Sequence, residues 1–319
     1  MTTSGTYSFT VTRDDIIRQA LLTIGKLDGV EVPEAEDKQD CARMLNMMCK
    51  QWMGKADFSP GLKVWTRRQG HLFLSNATGV YTVGPGATGW TNDYVYPTLT
   101  AAVVLGGTSF VVSSATGIAI GYKFGVEQSD GSLQWLTVSN VAGTTITTSA
   151  GLSVGAASGA QVFAYQTAAQ QPLTIEAVVL RDQDLTDTPV KILPTIQDYF
   201  MLPNKADPTN TGDPTAIYYE FLLGNSKLYT DVGASDDVTK HLVIAHLEPI
   251  QDFNNPLDNP EYPQEWYLPL CHGLAKQVAP MYNKVWTPLM EENYAVSLRI
   301  AQNKGAEVST MFFQPGAED

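Results

Sequence analysis

Gly151-Leu152-Ser153-Val154-Gly155 has the G-x-S-x-G spacing that, on a strand–turn–helix, lifts a serine nucleophile above a sheet. Such a serine needs a histidine to take its proton and an acid to orient that histidine. His241, His246 and His272 lie downstream, so chain order permits the arrangement. The local sequence does not, because the motif runs into Ala156-Ala157-Ser158-Gly159, which reads as a loop. Gly84-Pro85-Gly86-Ala87-Thr88-Gly89 matches G-x-G-x-x-G, a pattern that brings a pyrophosphate onto a helix N-terminus. Trp90-Thr91-Asn92-Asp93 follows and starts no helix, so the segment reads as a glycine turn. His241 and His246 lack a glutamate in HExxH register, and on a strand their spacing puts them on opposite faces. Asp182, Asp184 and Asp187 put three carboxylates in one stretch without the glycine and glutamate of a calcium loop, and read as a solvated acidic loop. Glycoside hydrolysis needs two carboxylates across a sugar cleft, and no such pair stands out. No catalytic, cofactor-binding or metal-ligating residue is therefore expected, and the chain reads as a non-enzyme.

Two groups suit contact better than catalysis. Lys63, Arg67 and Arg68 form the one basic cluster, on what reads as a strand edge. Met311, Phe312 and Phe313 are large apolar groups in a terminal segment, Ala306–Asp319, that has no core of its own to enter. They either dock on a partner or fold back on the chain's own helices. The net charge of −13 argues against gripping nucleic-acid phosphates through bulk charge, since that affinity comes from Lys and Arg displacing counterions. Cys41, Cys49 and Cys271 match no metal or disulfide framework, which implies a reducing compartment during folding. Cys41 and Cys49 would lie about 12 Å apart on a helix, too far to bridge. The first residues lack the basic and apolar regions of a signal peptide, and no apolar run is long enough to span a membrane.

The elements that must position these groups read as α+β. Thr12 caps a helix, with Asp15 at its third position; Ile16, Ile17, Ala20, Leu21 and Ile24 form one face and Gly25 ends it. A second helix follows Pro33, with Cys41, Leu45, Met48 and Trp52 as its stripe. Strands are expected at 62–69, 71–74 and 79–83. From Pro97 to Gln170 the only charged residues are Lys123, Glu127 and Asp130. Short strands are expected there at 99–104, 109–112, 122–127, 132–138, 144–148 and 161–165, making an inserted small all-β barrel or sandwich. Such low charge implies either that part of its surface meets another subunit or that Thr and Ser alone keep the barrel in solution. A strand at 173–181, a hairpin of Ile217, Tyr219, Phe221 and Leu223 turning at Gly224-Asn225, and a strand at 242–247 complete a central antiparallel β domain. Trp266, Leu270, Leu274 and Val278 then share a helical face. Thr287 and Pro288 open a last helix whose Leu289, Tyr294, Leu298 and Ala301 are expected inward. The expected organisation is a helical bundle from both chain ends (1–60 and 262–305), a central β domain (61–96 and 171–261), the insert (97–170) and a C-terminal arm (306–319).

Several segments, in order, resemble one family. Ala20-Leu21-Leu22-Thr23-Ile24-Gly25 precedes an acidic helix carrying Met44-Leu45-Asn46-Met47-Met48 and Trp52. Tyr81-Thr82-Val83-Gly84-Pro85-Gly86, Pro172-Leu173-Thr174-Ile175, Leu202-Pro203-Asn204-Lys205-Ala206, Gly212-Asp213-Pro214-Thr215 and Tyr218-Tyr219 follow. So do Pro249-Ile250-Gln251-Asp252-Phe253, Pro263-Gln264-Glu265-Trp266, Leu274-Ala275 and Ala279-Pro280-Met281-Tyr282. The series resembles the head-to-tail adaptor of short-tailed bacteriophages, also called packaged-DNA stabilisation protein or tail tubular protein A. It spans most of the chain outside 97–170, which shorter members lack.

The resemblance implies a virion protein made in the host cytoplasm, forming a homo-oligomeric ring, typically a dodecamer, beneath the portal protein. The ring would extend the DNA channel, retain packaged double-stranded DNA without reading its sequence, and carry the tail nozzle and fibres. The C-terminal arm would reach the portal, a role carried onto Met311, Phe312 and Phe313. Lys63, Arg67 and Arg68 would meet an acidic neighbour ring, and the 97–170 domain would meet tail fibres. Two other readings remain open on the residues alone: a receptor- or glycan-binding module through 97–170, and a cell-wall hydrolase.

Overall fold

A computed structural model describes residues 5–54, 64–205, 207, 209–234 and 240–304. The fold is α+β, with five α-helices and several antiparallel sheets among the described residues. It divides into two compact units: Met1–Thr66 with Pro249–Asp319, and Arg67–Glu248.

In the first unit, α1 (Arg13–Thr23) opens on a capping box. The Thr12 hydroxyl accepts from the Asp15 N–H, and the Asp15 carboxylate accepts from the Thr12 N–H. Ile16, Ile17, Ala20 and Leu21 are its buried face. In α2 (Ala35–Met53), Cys41, Leu45, Met48 and Trp52 are buried at the expected helical spacing. The last two helices of the unit span Tyr267–Val278 and Pro288–Lys304. Residues of all four helices enter one hydrophobic core with Ile250, Phe253 and Tyr262. At its centre Trp52, Trp65, Tyr262 and Trp266 pack ring against ring, with centroids 5.3 Å apart for Trp65 and Trp266 and 5.8 Å for Trp52 and Trp266. All three thiols are buried and free.

The second unit begins with β1 (Arg67–Phe73), β2 (Val80–Val83) and β3 (Trp90–Thr91). The insert supplies β4 (Ser109–Val111), β5 (Lys123–Glu127), β6 (Leu133–Ala142), β7 (Thr145–Thr148) and β8 (Val162–Tyr165). The chain continues through β9 (Thr174–Arg181), β10 (Asp187–Pro189), β11 (Lys191–Leu193), α3 (Ile196–Phe200), β12 (Thr211–Gly212), β13 (Ala216–Glu220), β14 (Ser226–Thr230), β15 (Gly233–Ala234) and β16 (His241–Leu247). The helices Tyr267–Val278 and Pro288–Lys304 are then α4 and α5. One sheet runs β10-β9-β16-β1-β3 and a second β11-β13-β14-β2; β12 and β15 pair by themselves, and the insert runs β4-β7-β6-β5-β8. The pairings are antiparallel except β11 with β13 and β12 with β15.

The insert buries its own core around Phe110, Phe124, Ile146 and Val162. Its strands form an open sheet and not the closed barrel among the expected forms. Residues 95–100 run between the two edge strands as isolated bridges, Val95 to Ala164 and Leu99 to Val112. The expected 99–104 strand is absent for that reason: its amides turn successively to Ala160, Val111 and Ala156 instead of to one neighbour.

Three further expectations are corrected. The strands expected at 62–69 and 71–74 reduce to one strand, β1, unbroken at Gly70, and Val64–Thr66 before it form a 3-10 turn; residues 55–63 lie outside the described residues. The hairpin strands stop at Glu220 and start again at Ser226, so Phe221 and Leu223 belong to an exposed loop. Leu289 on α5 is 67% exposed. Tyr294, Leu298 and Ala301 follow the i, i+4, i+7 stripe of one face, and Leu289, five residues before Tyr294, falls off it.

Candidate functional site

The residues whose spacing suggested chemistry are used for packing. Ser153 donates to Gln134 Oε1 at 2.9 Å and accepts from Gln128 Nε2 at 3.1 Å. A Cβ on Gly151 would fall 2.4 Å from the Gly106 carbonyl oxygen, so this glycine lets two loops of the insert cross. The G-x-S-x-G spacing thus marks a loop crossing. The Gly84–Gly89 segment is a turn closed by the Ala87 N–H on the Gly84 carbonyl, and it leads into β3 and no helix. Asp187 binds the Arg181 guanidinium through both oxygens, at 2.7 and 2.8 Å, and Asp184 caps the Thr186 N–H. No group of three His, Cys, Asp or Glu side chains is placed to hold a metal among the described residues.

The histidines do gather, with a member that the sequence reading missed. His71 on β1 puts Nδ1 3.2 Å from His241 Nε2, which is also 3.2 Å from the Tyr94 hydroxyl. Phe73 shares this face, directly opposite His241 in the register of β1 and β16. His246 lies on the other face, against Trp90. Burial, then the nearby Arg181 charge, pushes the His71 pKa down to about 4 from an ordinary 6.5. Between these values the unfolded chain binds the proton that the folded chain refuses. Stability from this site is therefore fully present above about pH 6.5 and lost as pH falls toward 4, on the order of 3 kcal/mol in all. In His71→Gln, denaturant midpoints should fall less steeply over that window than in the native chain. Parallel slopes would remove His71 as the source.

A polar cleft of about 470 Å³ lies where the insert leaves and rejoins its parent sheet. Asn92, Asp93, Gln166, Gln170 and Glu248 line it. Glu248 accepts from Asn92 Nδ2 at 2.7 Å, and His246 Nε2 lies 3.2 Å from the same oxygen. These contacts hold its carboxyl below the ordinary range in spite of burial. A carboxylate kept charged in this way suits hydrogen-bonding a hydroxyl better than donating a proton.

Arg67 and Arg68 are consecutive in β1 and so take opposite faces of the first sheet, Arg68 on the face that carries His246. Arg67 is ion-paired with Glu176, and the Arg68 guanidinium donates to the Arg67 carbonyl at 3.1 Å. With Arg181 they border a shallow groove of about 420 Å³ floored by Ala177, Val179 and Ala245. Lys63 lies outside the described residues, as do Met311, Phe312 and Phe313.

An apolar groove of about 500 Å³ lies between α4 and α5, lined by Leu268, His272, Val296 and Ile300 and rimmed by Glu265 and Glu292. Leu268 is 53% exposed, Val296 48% and Ile300 60%. Its signal was present in the sequence: Leu289, Val296 and Ile300 recur at i, i+7 and i+11, a second apolar stripe on a helix that already has one buried. His272 Nδ1 is buried without a hydrogen-bond partner among the described residues, and burial lowers its pKa. No described helix is long and apolar enough to cross a membrane.

No protein family and no curated protein matches the chain by sequence. Among solved structures, the Gp54 tailspike of Acinetobacter baumannii bacteriophage AP22, determined with A. baumannii capsular saccharide, aligns over 23% of this chain at 16% identity, with a TM-score of 0.21. The Pseudomonas phage phi297 tailspike gp61 aligns over 23% at 19% identity, also with a TM-score of 0.21. The chain spans 14% of the length of each. A likeness this slight bears on neither fold nor activity.

Proposed function

We propose that the chain is a structural head-to-tail adaptor of a short-tailed phage virion. In this reading it forms a homo-oligomeric ring, typically a dodecamer, that docks under the portal, extends the DNA channel and carries the tail. The observation that carries the reading is the split unit. Helices from before residue 54 and after residue 266 share one core, and the whole of Arg67–Glu248 is an excursion between them. The resembling segments fall on both sides of that excursion, and the departure from the family is confined to the insert. The packing roles of Ser153, Gly84–Gly89 and the histidines support a non-catalytic protein. The net charge of −13 suits a conduit to which DNA does not adhere.

The test is assembly. Mixed with its cognate portal, the purified chain should form rings visible by electron microscopy. Deleting 309–319 should weaken docking by about thirtyfold or more, the loss of at least one apolar hot spot, with the fold left intact. Undiminished docking of the truncated chain would remove the arm's role, and a chain that stays monomeric beside its portal would remove the adaptor reading.

A second reading is favoured by the cleft at Asn92, Asp93 and Glu248. Amide, carboxylate and tyrosine groups around a polar hollow suit a glycan at the root of the insert. Silence on a glycan array alongside intact assembly would exclude it.

A further inference from the structure

The α4/α5 groove is a large apolar hollow that no described residue of its own unit fills. What covers it is indicated by where the described chain stops. Ile300, at the groove's end, is one helical turn before Lys304, the last described residue. Fifteen residues remain in the sequence, 305–319. The first is Gly305, a residue that adopts the left-handed conformation by which a chain doubles back at a helix C-terminus. From Lys304 to Met311 an extended chain reaches up to about 23 Å. The groove, from Ile300 back to Glu292, is about 12 Å long. Between Val308 and Ala317 the sequence holds no charge, so nothing in it is repelled by the acidic rim of Glu265 and Glu292. Met311, Phe312 and Phe313 supply the apolar bulk that Leu268, Val296 and Ile300 lack.

We propose that residues 308–313 of the same chain occupy the α4/α5 groove in the isolated chain. The groove is then a holster for the arm. His272 Nδ1, buried in the groove, has no hydrogen-bond partner among the described residues.

Hydrogen exchange on the isolated full chain reads this directly, with no portal present. Amides of 293–300 should exchange about tenfold faster in a chain truncated after Lys304 and in the full-length Phe312→Ser/Phe313→Ser variant than in the native chain. The double variant keeps the backbone beyond α5, so fraying of a shortened helix cannot imitate the result. The protection should not change on dilution. Equal exchange in all three chains overturns the proposal. Protection that fades on dilution also overturns it and assigns the groove to a second copy. The inference rests on the groove and the chain end and not on the adaptor reading. Failed exchange protection leaves portal docking untouched, and failed docking leaves the exchange result standing.

Discussion

Replacing Gly70 with alanine should destabilise the Arg67–Glu248 unit by about 3 kcal/mol or more, at or beyond the upper end for overpacking. Gly70 lies mid-strand in β1, opposite Ile244 on β16. An added Cβ would fall 2.1 Å from Trp90 Cη2 and 2.6 Å from Cζ3. Trp90 is fully buried, and its indole N–H is held on the Gln170 carbonyl at 3.1 Å. The ring therefore cannot swing away without losing both its packing and its hydrogen bond. A strand glycine ordinarily weakens a sheet, and here the indole supplies the side-chain contact that glycine lacks. The double variant is decisive. In a Trp90→Leu background the Gly70→Ala substitution should cost little, which leaves a coupling of about 2 kcal/mol or more. Additive losses in the two single variants would show that the contact is not the cause.

The same residue shows where sequence reading stops. Helix ends were legible because the signals are local. Thr12 with Asp15, and Thr287 with Pro288, meet their partners within one turn, and the structure places those caps where the residues stand. Buried stripes at helical spacing were legible because each helix has one face in a core. Gly70 was read as a break in a strand because the ring that covers it arrives from twenty residues away. His71 was missed because only the pairing of β1 with β16 brings it to His241. The carboxylate of Glu248 and the amide of Asn92 meet across the sheet from distant segments, so the cleft had no linear signature. The second apolar stripe on α5 did have one, and it was obscured by assigning Leu289 to the buried face.

Trp266→Ala should have an effect of the same order in the other unit, about 3–5 kcal/mol. Trp266 was legible as a core residue from its spacing with Leu270 and Leu274, but its neighbours were not. Trp52 comes from α2, Trp65 from the segment leading out of the unit, and Tyr262 from the approach to α4. Removing the indole leaves three rings facing a cavity that none can fill by a rotamer change, so collapse is incomplete and the cavity cost is retained. The three cysteines give a local readout, because all belong to this unit and all are buried. Burial pushes the Cys49 thiol up to about 11 and the Cys271 thiol up to about 12. At neutral pH they react with a thiol reagent only when the unit opens. If Trp266→Ala costs at least 3 kcal/mol, labelling should quicken by about a hundredfold or more. Trp266→Phe, which keeps a ring in the cluster, should fall between. Labelling of Trp266→Ala at the native rate would mean that the four rings do not hold the two ends of the chain together. The ends, joined there, are the platform on which α5 is held.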